Sequence, residues 1–205
     1  MASPTSGLIY VAIALLQPLA LAAQTGWIAE PGVQRRLAEG EVVVRTATAT
    51  DPDAPRGRVR AAVRIPASPE AIWTIMTDCA QAPLYVPGLK RCRRLDGAPD
   101  GRWEDIEHVV RYSWLLPAVR YVFRAQYDRP YRIDFHRVGG DLKAQEGTWL
   151  LTPTPDGSAT VVEYEIYLEP GFWIPQFLVA RSLRKDVPAV LSGLRERVEE
   201  VSTAK

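Results

Sequence analysis

The chain has 205 residues, 47% of them apolar, which is enough to build one ordinary hydrophobic core. Its 25 basic and 24 acidic side chains leave a net charge of +1. No whole-molecule field therefore draws it to a polyanion, and no nucleic-acid partner is expected.

Residues 1–23 carry no charged side chain, and the apolar run Leu8–Leu16 is followed by Gln17, Pro18 and the small-residue pattern Ala20-Leu21-Ala22. That order reads as a secretory signal peptide cut near Ala22 or Ala23. An uncut N-terminal anchor is the alternative, although Gln17 and Pro18 leave the run short of the ~20 residues a span needs. Either way the domain is expected outside the cytoplasm, in the bacterial periplasm, free or tethered to the membrane. Residues 24–40 form a mixed lead-in, residues 41–200 the domain itself and residues 201–205 a tail.

Glu41-Val42-Val43-Val44-Arg45-Thr46 is a β-branched run typical of a strand, and residues 51–57 are dense in turn formers, so a hairpin with arms near 41–48 and 58–65 is expected. Ser68 then caps a helix, with Pro69 in its first position and Glu70 in its first turn; Ile72, Ile75 and Met76 give it an inward face. Pro83 and Pro87 limit residues 79–86 to one or two short turns, after which a strand runs through Cys92 to Leu95.

An antiparallel meander follows. Residues 102–113 set Ile106, His108, Val110 and Tyr112 against Asp105, Glu107 and Arg111, and residues 121–127 set Tyr121, Phe123 and Ala125 against Arg124 and Gln126. Residues 131–138, 142–152 and 159–168 continue the pattern, broken by turn signals at 139–141 and 154–158. The chain then changes to helical period, with Ile174, Leu178, Val187, Val190, Leu191, Leu194 and Val198 on one stripe. Pro188 is expected to kink or restart this helix, with Asp186 as a local cap.

The only two cysteines are Cys79 and Cys92. In an oxidising compartment they can pair, and closing such a loop stabilises a fold by about 3 kcal/mol in the chain-entropy model. Two buried thiols are the alternative. Their spacing matches no zinc pattern and neither histidine is near them in sequence, so no metal site is expected.

The residues Ile65-Pro66-Ala67-Ser68-Pro69-Glu70-Ala71-Ile72-Trp73, Asp78, Tyr85-Val86-Pro87-Gly88-Leu89, Gly147-Thr148-Trp149-Leu150-Leu151 and Val162-Glu163-Tyr164 resemble the START-like SRPBCC superfamily, and within it the polyketide cyclase/dehydrase and coenzyme Q-binding group. The resemblance spans roughly residues 41–200. It implies an α+β helix-grip fold, a curved antiparallel sheet wrapped around a long C-terminal helix, with an apolar ligand held between the two. It also implies no cofactor and sets no oligomeric state.

If the strand faces named above point inward, Ile106, His108, Tyr112, Tyr121, Phe123, Phe135, Trp149, Tyr164 and Ile166 line the cavity; a filled core is the alternative for any one of them. His108 interrupts an apolar face, and Glu104 falls on the same face four residues away, a pairing that would suit a general base. A histidine bound to a tyrosine is the plainer expectation. His136, on the opposite face from Ile133 and Phe135, is expected in solvent. Lys90-Arg91-Cys92-Arg93-Arg94 is a basic cluster read as the solvent face of a strand. The expected function is binding or carriage of a lipid, isoprenoid or quinone-like molecule. The alternatives are a cyclase/dehydratase-like enzyme using His108, and a protein-interaction module with a filled cavity.

Two loops are unusually apolar: Trp114-Leu115-Leu116-Pro117, and Gly171-Phe172-Trp173-Ile174-Pro175 before the last helix. Large apolar side chains in connecting loops call for a partner, so Trp114, Leu115, Leu116, Phe172, Trp173 and Ile174 are read as the cavity mouth, touching a membrane or a lipid donor. Replacing Trp114 and Trp173 together by serine is expected to lower co-sedimentation with liposomes; unchanged binding would remove that reading.

Overall fold

A computed structural model describes residues 26–46, 58–111, 118–171 and 176–204. The turn-rich residues 51–57 and the segment 1–23 lie outside the described residues. Eight strands, β1 (Val43–Thr46), β2 (Arg58–Ile65), β3 (Leu89–Gly97), β4 (Trp103–Val110), β5 (Val119–Asp128), β6 (Arg132–Gly140), β7 (Leu142–Pro153) and β8 (Thr160–Pro170), form one curved sheet in the order β1-β2-β8-β7-β6-β5-β4-β3. Every neighbouring pair is antiparallel. Helices α1 (Pro31–Ala38), α2 (Pro69–Met76), α3 (Ala82–Tyr85) and α4 (Gln176–Thr203) complete the described elements, with one short turn before α1.

The bridge from β2 to β3 follows its local chemistry. Ser68 Oγ accepts the Ala71 amide at 3.3 Å, and Pro69 opens α2 where a missing N–H leaves nothing unsatisfied. Between β6 and β7 the chain reverses at Gly140, whose φ of +88° and close approach to the Arg120 carbonyl exclude a side chain.

The last helix lies mainly against β2 and α3 on the inner face of the sheet. Leu191 and Leu194 are fully buried with Ala61, Val63 and Ile65 of β2 and Ile72 of α2, each large side chain contributing about 1.5–3 kcal/mol by leaving water. Two expectations for this helix are corrected. It does not restart at Pro188, being one helix through it, and Asp186 is not a cap, since it accepts a hydrogen bond from Ser182 Oγ within the same helix at 2.5 Å. Proline removes one backbone hydrogen bond, but buried Leu183, Val187 and Leu191 pack on both sides of it and hold the helical path. The helix also continues to Thr203, so residues 201–203 belong to it and not to a tail.

The lead-in is structured as well. Val33 and Leu37 of α1, with Ile28 from the turn Trp27–Ala29, bury Ala62 of β2 and Val161 of β8 from the other side of the sheet. Among the described residues no helix is long and apolar enough to cross a membrane.

Gly193 of α4 marks a tight approach of the bridge to the last helix, because a Cβ there would lie 2.9 Å from the carbonyl oxygen of Tyr85. Gly193→Val is expected to destabilise the fold by about 1–3 kcal/mol in urea denaturation. Gly32→Ala, at a helical position with nothing within 4 Å, is expected to leave the midpoint unchanged or raise it.

Candidate functional site

Alternation along five neighbouring strands brings one set of side chains to the inner face. Ile106 and His108 of β4, Tyr121 and Phe123 of β5, Phe135 of β6, Trp149 of β7 and Tyr164 of β8 line a cavity of about 120 Å³. Its other wall comes from the bridge and α4, through Met76, Tyr85, Val86 and Val190. The sequence expectation missed that wall, because helical periodicity marks an inward face without saying which inward residues meet a gap. It also missed Gln145, which the period-two pattern of β7 places on the same face as Gly147 and Trp149.

Of the expected lining residues, Ile166 is a correction. It is buried in the core cluster but does not border the cavity; its strand neighbours are Val59 of β2 and Gly147 of β7, and the Phe135 ring lies over Gly147. Tyr112 and the expected mouth residues Trp114, Leu115, Leu116, Phe172, Trp173 and Ile174 lie outside the described residues.

The cavity wall is a run of aromatic contacts. Trp149 and Tyr164 stack with ring centres 3.8 Å apart and planes within 10°. Phe123 meets Phe135 edge-on at 5.9 Å, and His108 meets Phe123 edge-on at 5.0 Å. His108 Nδ1 is 3.3 Å from the Tyr121 hydroxyl, and burial pulls the imidazole from its ordinary 6.5 down to about 4. The ring is neutral at physiological pH.

The pairing of His108 with Glu104 does not form. Four residues along a strand place them roughly 13 Å apart, and Glu104 is otherwise engaged: it accepts the Tyr127 hydroxyl at 3.0 Å and pairs with Arg94 at 3.1 Å. Burial, helped by Glu104, pushes the Tyr127 phenol up. The wall therefore holds a histidine–tyrosine pair and no histidine–carboxylate pair.

The three arginines of the basic cluster are paired with carboxylates of β4. Glu107, on the face opposite His108, is only 1% exposed, because Arg120 (2.6 Å), Arg91 (3.1 Å) and Arg93 (3.5 Å) close over it from β5 and β3. The hydrogen bond from Arg120 holds its carboxyl below the usual range. His136 is exposed on that outer face. Cys79 and Cys92 are joined in a disulfide that ties the bridge to β3, and both border the cavity. Among the described residues no three His, Cys, Asp or Glu side chains cluster as metal ligands.

Residues 65–195 match a family model described as polyketide cyclase / dehydrase and lipid transport. No curated protein matches the chain at a significant level. Among solved structures, a protein from Thermus thermophilus is 27% identical over 71% of this chain and 99% of its own, with a TM-score of 0.60. A STAR-related lipid transfer protein from Xanthomonas axonopodis is 18% identical over 77% of this chain and 92% of its own, with a TM-score of 0.64. An aromatase/cyclase from a Streptomyces species is 14% identical over 69% of this chain and 93% of its own, with a TM-score of 0.56. The last two share the curved sheet closed by a C-terminal helix. A family match over more than half of the sequence, on that architecture, makes this chain a member of the polyketide cyclase/dehydrase and lipid transport family with the START-like helix-grip fold.

Proposed function

We propose that the protein binds and carries a hydrophobic small molecule outside the cytoplasm. The observation that carries this reading is the cavity itself, walled by aromatic rings and, among the described residues, by no charged side chain. At about 120 Å³ it is somewhat smaller than the ~150 Å³ cavity that holds a benzene ring in another protein, so it suits a short branched hydrocarbon segment of a lipid, isoprenoid or quinone-like guest. Support for export comes from the charge-free first 23 residues and from the disulfide between the only two cysteines.

One observation favours a second reading, an enzyme of the cyclase or dehydratase kind: a neutral imidazole hydrogen-bonded to a phenol inside the cavity can accept and return a proton. The carrier reading is preferred because no carboxylate orients His108.

Solvent extraction of purified protein, followed by mass spectrometry, is expected to recover a bound apolar molecule, and His108→Ala is expected to leave that recovery within about twofold. Protein that yields no ligand and binds none from lipid extracts would overturn the proposal. Catalysis would show instead as turnover of a ketide substrate that His108→Ala abolishes.

The buried imidazole also sets a pH dependence. Its folded pKa lies below that of the unfolded chain, so as pH falls the unfolded state takes up the proton first. Stability is expected to decline from pH 6.5 to about 4 by roughly 3 kcal/mol, and this group causes no further loss below that. In urea denaturation across this range, His108→Gln should flatten the slope; an unchanged slope would show that His108 is not buried as described.

A further inference from the structure

We infer that Arg91 and Arg93, on the outer face of β3, form a clamp for a phosphate group, with the buried carboxylate of Glu107 holding the two guanidinium groups together. This site lies on the opposite face of the sheet from the cavity and does not depend on the carrier reading.

Glu107 and His108 are neighbours on β4, so their side chains leave opposite faces of the sheet, and it is His108 that lines the cavity. On the outer face Arg91 Nη2 is 3.1 Å and Arg93 Nη2 3.5 Å from Glu107 Oε1, while Arg120 Nε donates to Oε2 at 2.6 Å. Only the contact from Arg120 is an aligned hydrogen bond. Oε1 is buried and accepts none. The carboxylate thus draws Arg91 and Arg93 in by its charge without using their N–H donors, and both side chains stay more than half exposed. Each guanidinium keeps its five donors for another acceptor.

One arginine is enough to neutralise one carboxylate. Three leave two positive charges in excess, and the shared oxygen keeps Nη2 of Arg91 and Nη2 of Arg93 within about 7 Å of each other. The other acids of β4 do not relieve that excess, because Asp105 takes both arms of Arg124 and Glu104 pairs with Arg94. A phosphate group answers both features. It brings up to two negative charges, and its oxygens take paired N–H groups from planar guanidinium forks. A carboxylate ligand brings one charge and would leave the excess half met.

Calorimetric titration of the purified protein with inorganic phosphate at constant ionic strength, and co-sedimentation with phosphatidylcholine vesicles made with or without phosphatidic acid, test this. Arg91→Gln combined with Arg93→Gln is expected to lower affinity for the phosphate group at least tenfold. Arg120 still covers Glu107 in that variant, so its urea midpoint should hold. Should it fail to fold, Arg91→Gln and Arg93→Gln are each expected to lose about threefold alone. Arg91→Lys with Arg93→Lys keeps the charge but not the paired donors, and is expected to lose about threefold or more. Pelleting that rises with phosphatidic acid and is lost in the double glutamine variant would assign the phosphate to a lipid headgroup. Binding of inorganic phosphate with no gain on those vesicles would assign it to a free phosphate; both support the clamp. It would be overturned if neither probe bound, if wild type and the glutamine variants bound alike, or if the lysine variant bound as tightly as wild type. Recovery of an apolar guest is expected to be the same in every variant, so the carrier reading stands or falls separately.

Discussion

One helix has to cover the inner face of a sheet that is wider than any helix. Eight strands spaced about 4.8 Å apart span roughly 35 Å, whereas a helix with its side chains is about 10–12 Å across. α4 lies over β2 and packs solidly there: Ala61, Val63, Leu191 and Leu194 admit no water. Further across the sheet, among the described residues, the short helix α2 reaches β7 and α3 reaches β3. The hollow forms where that thinner cover meets large aromatic rings, which fill space in slabs and leave gaps between their planes. The cavity is thus a geometric result of closing a wide sheet with one long helix.

The outer face solves a different problem. Glu107 lies among three arginines and is hidden from solvent by their side chains, although its strand neighbours alternate in the ordinary way. Removing any one arginine leaves the carboxylate with partners, while removing the carboxylate leaves three like charges crowded together. At the other side of the sheet Arg58 and Arg60 share Glu165, and Arg58 also reaches Glu146. Arg58 and Arg60 of β2 thus tie that strand to β8, and Arg58 reaches across β8 to β7.

Much of the fold was legible in the order of residues because its signals are local. Ser68-Pro69-Glu70 announces α2, alternation marks β4 through β8, and the change to helical period marks α4. Where the reading failed, distant contacts decided the outcome. Pro188 stays inside α4 because Leu183, Val187 and Leu191 are held by the rest of the core. α1 is two turns long, too short for periodicity to reveal, and is defined by Ala62 and Val161 beneath it. The burial of Glu107 was not legible, because no local pattern shows three arginines arriving from two other strands. At the site, alternation picked out His108, Tyr121, Phe123, Phe135, Trp149 and Tyr164, since each strand's parity is written in its sequence. It misassigned Ile166, whose parity is right but which lies one step further along β8 than Tyr164, beside Gly147, and it passed over Gln145, a polar residue in a stretch where only rings and aliphatic groups were sought.

The strand that carries Cys92 of the disulfide is also the outermost one, with its far side paired to no other strand among the described residues. Lys90, Arg91, Arg93 and Arg94 are exposed along it. A second copy of the chain approaching edge to edge would bring rows of positive charge together within the screening length of physiological salt, about 8 Å, before any main-chain bond could form. The same arginines that cover Glu107 thus lie along an unpaired border, where charge disfavours edge-to-edge pairing.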